Sequence, residues 1–350
     1  MSRCGRAWRL LQQPGGQSEA AAAFLQVLSA EPTCQEAQRA LHYQRWSDAV
    51  LAERLPALTA LLEGLPQPGL LQRVLADWHY RVGDRQLALA DYAAQWQDTA
   101  LARLPLGGLP QALVIGAPKS GTTSLAAALQ RHPRLFPNPR RKELHFFQAR
   151  WHWGEDWYRL QFPQVPAGLG WGLLEATPDY LQDPLVPERV AALLPEVRVV
   201  AVLREPLRRA VSWLEHLRRW GGLNQAVDAV LTDELERLEA MPEAERRSLG
   251  WWGSNALAGS FYAHQLRRWH AVLPAHRLLV VRFEDLCRNP QGTLGRILGF
   301  LGVDGEAPHP AIPLPSLNQA PASYAQPAGP LALRCRRGVL AEAVQLWQSL

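Results

Sequence analysis

A short polar run, Lys119-Ser120-Gly121-Thr122-Thr123-Ser124, follows an uncharged apolar stretch at 112–115 that ends on Gly116. Such an apolar run reads as a buried parallel strand. The residues at 123–129, TSLAAAL, read as a helix start with strong helix formers behind it. Strand, glycine-bearing turn and helix N-terminus together bind phosphate, because backbone N–H groups converge on the anion and the helix dipole adds partial positive charge. A nucleoside-triphosphate loop has the spacing GxxxxGK[ST], with lysine directly after the second glycine. Here the loop runs Gly116-Ala117-Pro118-Lys119-Ser120-Gly121-Thr122-Thr123, so the lysine lies inside it and Thr122 takes the usual lysine place. The wrap around an anion is kept and the kinase wiring is not. The plain alternative is an ordinary strand-to-helix turn.

Two further groups have chemistry in their spacing. The run 199–203, VVAVL, delivers Arg204 at the carboxyl edge of a strand, where open α/β sheets bind ligands. Pro206 suits the first turn of the next helix, and Ser212 falls two turns along it. A guanidinium fork with a hydroxyl is good phosphate recognition; the alternative for Arg204 is a structural salt bridge, and Arg208 and Arg209 read as solvated helix cations. The third group is Arg141-Lys142-Glu143-Leu144-His145-Phe146-Phe147. In an extended segment Glu143 and His145 share a face, and a carboxylate near an imidazole suits removal of a proton from a hydroxyl or amine. The alternative is a Glu143 paired with Arg140 or Arg141 at a loop edge.

PKSGTTSL at 118–125, RxPxxRxxS at 204–212 and KExHFF at 142–147 resemble motifs of sulfotransferases that use PAPS (3′-phosphoadenosine 5′-phosphosulfate), closest to the heparan-sulfate-type (glucosaminyl N- and 3-O-) branch. The resemblance covers about residues 111–303. It implies an α/β, P-loop-type three-layer domain with a central parallel sheet, and transfer of a sulfuryl group from PAPS to a hydroxyl or amine of a carbohydrate or other small acceptor. Lys119 would then stabilise charge on the leaving phosphate, with Ser120, Gly121, Thr122, Thr123 and Ser124 around the 5′-phosphate. Arg204 and Ser212 would take the 3′-phosphate, Glu143 would be the base and His145 its support. The stretch from Gly259 to Trp269 resembles a family segment that makes Tyr262 a cofactor-side candidate; in 278–286, Glu284 and Asp285 read as caps. Glu175-Ala176-Thr177-Pro178-Asp179-Tyr180 resembles the family's E-K-T-P-x-Y, with Ala176 where glycosaminoglycan enzymes often carry Lys. That substitution favours a neutral or different acceptor, and leaves open whether Glu175 and Tyr180 line the pocket or pack. The family's C-terminal cofactor loop is not evident; Arg334, Arg336 and Arg337 are the substitutes on offer. No metal is implied.

Composition narrows the classes. Of 37 basic residues only Lys119 and Lys142 are lysines, and both lie in the motif region. Lysine is a compact, titratable ammonium that arginine does not mimic. A formal charge of +5 suits small anionic ligands better than a nucleic-acid track. The four cysteines are scattered without metal spacing, which points to reduced thiols. With no apolar leader and no uncharged run of spanning length, the expectation is a cytoplasmic protein without a membrane span.

The positioning elements follow from periodicity. Residues 1–105 read as all-helical, with a degenerate tetratricopeptide-like pattern at Ala20, Phe24, Val27 and Pro32 and again at Ala88, Tyr92 and Gln95. They offer a surface for a protein partner, or are a plain helical extension; 49–65 is a further amphipathic helix. The turn-rich 104–110 marks the boundary to a second domain, 106–350. Strands are expected at 112–115, 135–136, 172–174, 198–203 and 278–282, and helices at 123–131, 188–194, 206–219, 255–271, 290–301 and 337–350. The charged segment 234–247 is expected as an exposed helix, and Pro-rich 307–330 as an irregular loop. Two rivals remain: a P-loop kinase of a small metabolite, dependent on Mg²⁺ and ATP, and a helical-repeat interaction protein with an inactive nucleotide-binding domain.

Overall fold

The structure, a computed structural model, describes residues 3–65, 69–139, 142–219, 223–249, 255–303 and 329–350. It divides into two compact units, Met1–Gly107 with Arg159–Pro163, and Gly108–Tyr158 with Gln164–Leu350. The first holds α1 (Gly5–Leu11), α2 (Gln17–Ala30), α3 (Gln35–Tyr43), α4 (Asp48–Glu63), α5 (Leu70–Val82) and α6 (Arg85–Ala94). Ala20, Phe24, Ala88 and Tyr92 all point inward, and Phe24 meets Trp8 and Trp46 edge-on. The Tyr92 hydroxyl donates to Asp77 at 2.9 Å. Gly83 ends α5 at φ 93° and Asp84 caps α6, which turns the two helices into a hairpin.

The second unit begins with β1 (Ala112–Gly116), α7 (Thr122–Leu129) and β2 (Leu135–Pro137), then α8 (Glu155–Arg159), β3 (Gly172–Ala176), α9 (Val186–Leu193), β4 (Arg198–Leu203) and α10 (Pro206–Arg219). It continues through α11 (Val227–Ala240), α12 (Glu243–Ser248), α13 (Tyr262–Val272), β5 (Leu278–Arg282), α14 (Phe283–Arg288) and α15 (Pro290–Leu301) to α16 (Gly329–Arg337) and α17 (Ala341–Ser349). The strands form one parallel sheet in the order β2-β3-β1-β4-β5. Val114, Leu174, Val200 and Val202 pack with Leu125, Leu129, Leu286, Ile297 and Leu298 of α7, α14 and α15. The alternate residues Leu113, Ile115, Val199, Ala201 and Leu203 are equally buried. Both faces are therefore covered, which is why these strands read as continuous apolar runs. The chain runs from β1 out to β2, returns beside β1 as β3, and then crosses to β4 on the other side. The order of connections reverses at β1, the place where open α/β sheets bind ligands beyond the strands' carboxyl ends.

Several sequence expectations change. The segment 234–247 is not one exposed helix: α11 starts earlier, buries Val230, Leu231, Glu234, Leu235 and Leu238, and gives way to α12. Glu234 turns inward because its carboxylate accepts the backbone N–H groups of Ala256, Leu257 and Ala258 at 2.8–3.1 Å. Arg209 is not a solvated cation. It is buried and donates to Ser260 Oγ and the Ala256 carbonyl, while Arg208 is exposed. These bonds engage 255–260, so the expected helix at 255–271 becomes a short turn (Ala258–Ser260) followed by α13. The expected last helix at 337–350 is α17, which starts later, at Ala341, after α16 ends at Arg337. Most of 307–330, together with Arg140 and Arg141, lies outside the described residues. Glu234→Ala would strand three buried amides and is expected to cost on the order of 3 kcal/mol, read as a lower urea midpoint at unchanged slope.

Candidate active site

The loop after β1, Arg204 after β4 and the Glu143 loop on the end of β3 all lie at the carboxyl edge of the sheet. The loop after β1 is held down by Ala117 N–H donating to the Val202 carbonyl at 2.7 Å. Lys119 and Gly121 both take positive φ, 68° and 80°, on either side of Ser120, and so curl the loop onto the first turn of α7. A Cβ on Gly116 would come within 2.5 Å of Leu181, and one on Gly121 within 2.7 Å of the Phe283 ring, so close packing fixes both glycines. Ser120, Thr122 and Ser124 are buried in this cradle, with Thr123 partly exposed. Ser120 Oγ has no hydrogen-bond partner among the described residues. A buried hydroxyl of this kind beside curled amides fits an anionic group that would complete its bonding.

Lys119 is half-buried. Burial, with help from Arg219 and Arg204 and against the pull of Glu143, lowers its ammonium to about 8. Arg204 leaves β4 beside it and donates to the Lys119 carbonyl at 3.2 Å. Its guanidinium lies 5.1 Å above the centre of the Phe283 ring, the same ring that closes on Gly121. Phe283 is thus a shelf shared by the loop after β1 and Arg204, and sequence reasoning passed over it as part of the RFEDL run. Tyr262 is fully buried and its hydroxyl donates to the Arg204 carbonyl at 2.9 Å, so it holds the strand end from behind. Ser212 lies on α10 at 8% exposure. One and two turns on, α10 carries His216 and Arg219, whose charges act on Glu143 and Lys119. Arg336 pairs with Glu205 at 3.0 Å and Arg334 with Glu239, so both are committed within this unit. Glu284 accepts from Glu205 N–H at 3.1 Å, and Asp285 pairs with Arg282 at 2.9 Å.

Glu143 and His145 are not in an extended segment: their φ values are 68° and 52°. Glu143 N–H donates to the Ala176 carbonyl at 3.0 Å, which docks the loop on the end of β3. A π-helical turn (Phe146–Arg150) follows, buried by Phe146 and Phe147 against Tyr158 and Tyr180. The two side chains still approach, with His145 Nε2 3.9 Å from Glu143 Oε2. The Glu143 carboxylate is 35% exposed and ion-paired to Lys142. Burial pushes it up, but Lys142 and His145 outweigh that and leave it below the usual carboxylate range. Burial lowers His145 to about 4 against the pull of Glu143, so it is neutral at pH 7. Glu175 and Tyr180 pack rather than line a pocket: Glu175 is 2% exposed and accepts from Thr177 Oγ1 at 2.8 Å, Tyr180 at 2.6 Å and Tyr158. Asp179, which sequence reasoning did not single out, lies 3.8 Å from His145 Nδ1.

The chain aligns with known proteins. The chain is 34% identical over 204 residues to the Bos taurus protein named bifunctional heparan sulfate N-deacetylase/N-sulfotransferase 2, covering 56% of this chain and 22% of that protein. It is 32% identical over 209 residues to the Mus musculus protein bearing the same name with the number 3, covering 57% and 23%. The match thus spans about a fifth of the length of these relatives. A crystal structure of a sulfotransferase from Alicyclobacillus acidocaldarius superposes with a TM-score of 0.52 at 25% identity, over 69% of this chain and 95% of that one. Among the described residues, no helix is long and apolar enough to cross a membrane. The family described as "Sulfotransferase domain" matches residues 109–312, and the chain, with Lys119, Arg204 and Glu143 near one another, belongs to the sulfotransferase domain family.

Proposed function

We propose that this sulfotransferase uses PAPS as donor and sulfates an amine or hydroxyl of a glycan, in the cytoplasm. The observation that carries the reading is the meeting of Lys119, Arg204 and Glu143 at one edge: the cradle lysine feels both the strand-end arginine and the carboxylate. The orphaned Ser120 hydroxyl supports an anionic donor in that cradle. The loop amides with Ser120, Gly121, Thr122, Thr123 and Ser124 hold the 5′-phosphate, and Arg204 and Ser212 read the 3′-phosphate. Tyr262 acts by fixing the Arg204 backbone. PAPS supplies a sulfuryl group on a phosphate leaving group.

Glu143 takes the proton of the acceptor as the new bond to sulfur forms. The bond from sulfur to the phosphate oxygen breaks, and Lys119 stabilises the charge that collects there. Lys142 keeps Glu143 ionised in the neutral range. A relative named for N-sulfation of heparan sulfate supports an amine-bearing glycan as acceptor. Titration of PAPS, ATP and the 3′-unphosphorylated analogue tests the donor, and labelled PAPS with de-N-sulfated heparin tests the acceptor. Tighter binding of ATP than of PAPS would favour the kinase reading. Arg204→Ala should weaken PAPS about 10- to 100-fold, as expected for charge-assisted bonds, while leaving the 3′-unphosphorylated analogue nearly unchanged. Equal losses for both would remove the 3′-phosphate from Arg204.

A further inference from the structure

We propose that Asp179 is a positioning residue for His145, the far end of a path Glu143–His145–Asp179 along which the acceptor's proton leaves the site. This rests on Glu143 being the base. The His145 ring stands between two carboxylates, with Nε2 3.9 Å from Glu143 Oε2 and Nδ1 3.8 Å from Asp179 Oδ2. Asp179 sits on the short turn after β3 (Pro178–Leu181) and is 7% exposed. Gln148 settles the tautomer. Its Nε2 donates to the Asp179 carbonyl at 3.1 Å and to Asp183 Oδ2 at 3.3 Å. Its Oε1 must then face His145 Nδ1, at 3.3 Å. An acceptor oxygen from Gln148 and another from Asp179 both meet Nδ1, so Nδ1 carries the hydrogen and Nε2 presents its lone pair toward Glu143.

That tautomer is oriented to take a proton only after Glu143 has received one. Glu143 removes the proton of the acceptor as sulfur bonds to it. The resulting Glu143 O–H gives its proton to His145 Nε2 as His145 Nδ1–H gives its own to Asp179 Oδ2. The imidazole stays neutral throughout, as its buried setting requires; Asp179 then gives its proton to water, and His145 returns to its Nδ1–H form by losing the Nε2 proton and regaining one at Nδ1. Both gaps exceed hydrogen-bond length, and the relay requires them to shorten when the site is loaded, as catalytic pairs that are long in free enzymes do. The charged groups facing Asp179 are Glu143, Lys142 and His145 from the loop before the π turn and Arg209 from α10. Burial and then Glu143 raise Asp179 to about 7, against Lys142, the hydrogen bond that Gln182 Nε2 donates at 3.5 Å, and Arg209, so it can both accept and release a proton near neutrality.

The test joins ¹⁵N NMR of the His145 ring, assigned by difference from His145→Asn, with the pH profile of kcat for PAPS and de-N-sulfated heparin. The expected wild type shows Nδ1–H, and kcat that rises with pH through about 7 as Asp179 ionises. Asp179→Asn should lose that limb and about 10- to 100-fold in kcat, the scale of residues that orient a functional group from behind, with KM for PAPS unchanged. Asp179→Glu should restore the limb. An Nε2–H tautomer in the wild type, or an Asp179→Asn variant with the wild-type kcat and limb, overturns the proposal. If Asp179→Asn does not fold, the wild-type tautomer decides. Full activity of Glu143→Gln would instead strike the base reading beneath it.

Discussion

Glu143→Gln is expected to lower kcat for sulfuryl transfer about 10³-fold, within the range that a general base contributes, while the protein still binds PAPS and melts as the wild type does. The amide keeps the shape of the side chain and removes its capacity to take a proton. The backbone contact that docks the loop, Glu143 N–H to the Ala176 carbonyl, is untouched by the change. The lost charge releases Lys142, which is partly solvated, so little stability is at stake. Single-turnover measurement with labelled PAPS separates the chemical step from binding. A Glu143→Gln enzyme with wild-type turnover would remove Glu143 from the reaction.

Lys119→Ala should cost about 10²- to 10³-fold in kcat, as expected when a group that stabilises developing charge is removed. The pH dependence is a second readout. The lysine must be protonated to act, and in the free enzyme burial and two arginines lower it to about 8. The Lys119 contribution to kcat/KM for PAPS should therefore be full below pH 8 and be lost as pH rises through it. Lys119→Arg stays protonated and should abolish the falling limb, although its broader guanidinium will not restore the rate. A falling limb that survives in Lys119→Arg would belong to another group. Glu143, held below the usual carboxylate range, contributes no rising limb near neutrality; a limb near 7 reports Asp179.

The sheet and the strand–turn–helix loop after β1 were legible because their causes are local. Strands covered on both faces are continuous apolar runs, and β4 and β5 occupy the expected 198–203 and 278–282. The cradle is contiguous in sequence, so its turn, glycines and helix start could all be read together. Arg209 and Glu234 were misread because their partners at 256–260 lie 22 or more residues away. A charge on an amphipathic helix looks solvated until the segment that covers it is known. The left-handed backbone at Glu143 and His145 was equally hidden, since it follows from docking on β3 and from the aromatic packing of the π turn.

Residue order alone was enough for the parallel α/β layout, the glycine-bearing loop with its displaced lysine, and the sulfotransferase resemblance, because each depends on neighbours along the chain. Folding was needed to bring Phe283 under both Gly121 and Arg204, to turn Tyr262 toward the Arg204 carbonyl, and to set Asp179 beside His145. Those relations join residues 34 to 162 positions apart in numbering. Spacing along the chain carries no trace of them, since they arise from strand order and from which side chains share a buried volume.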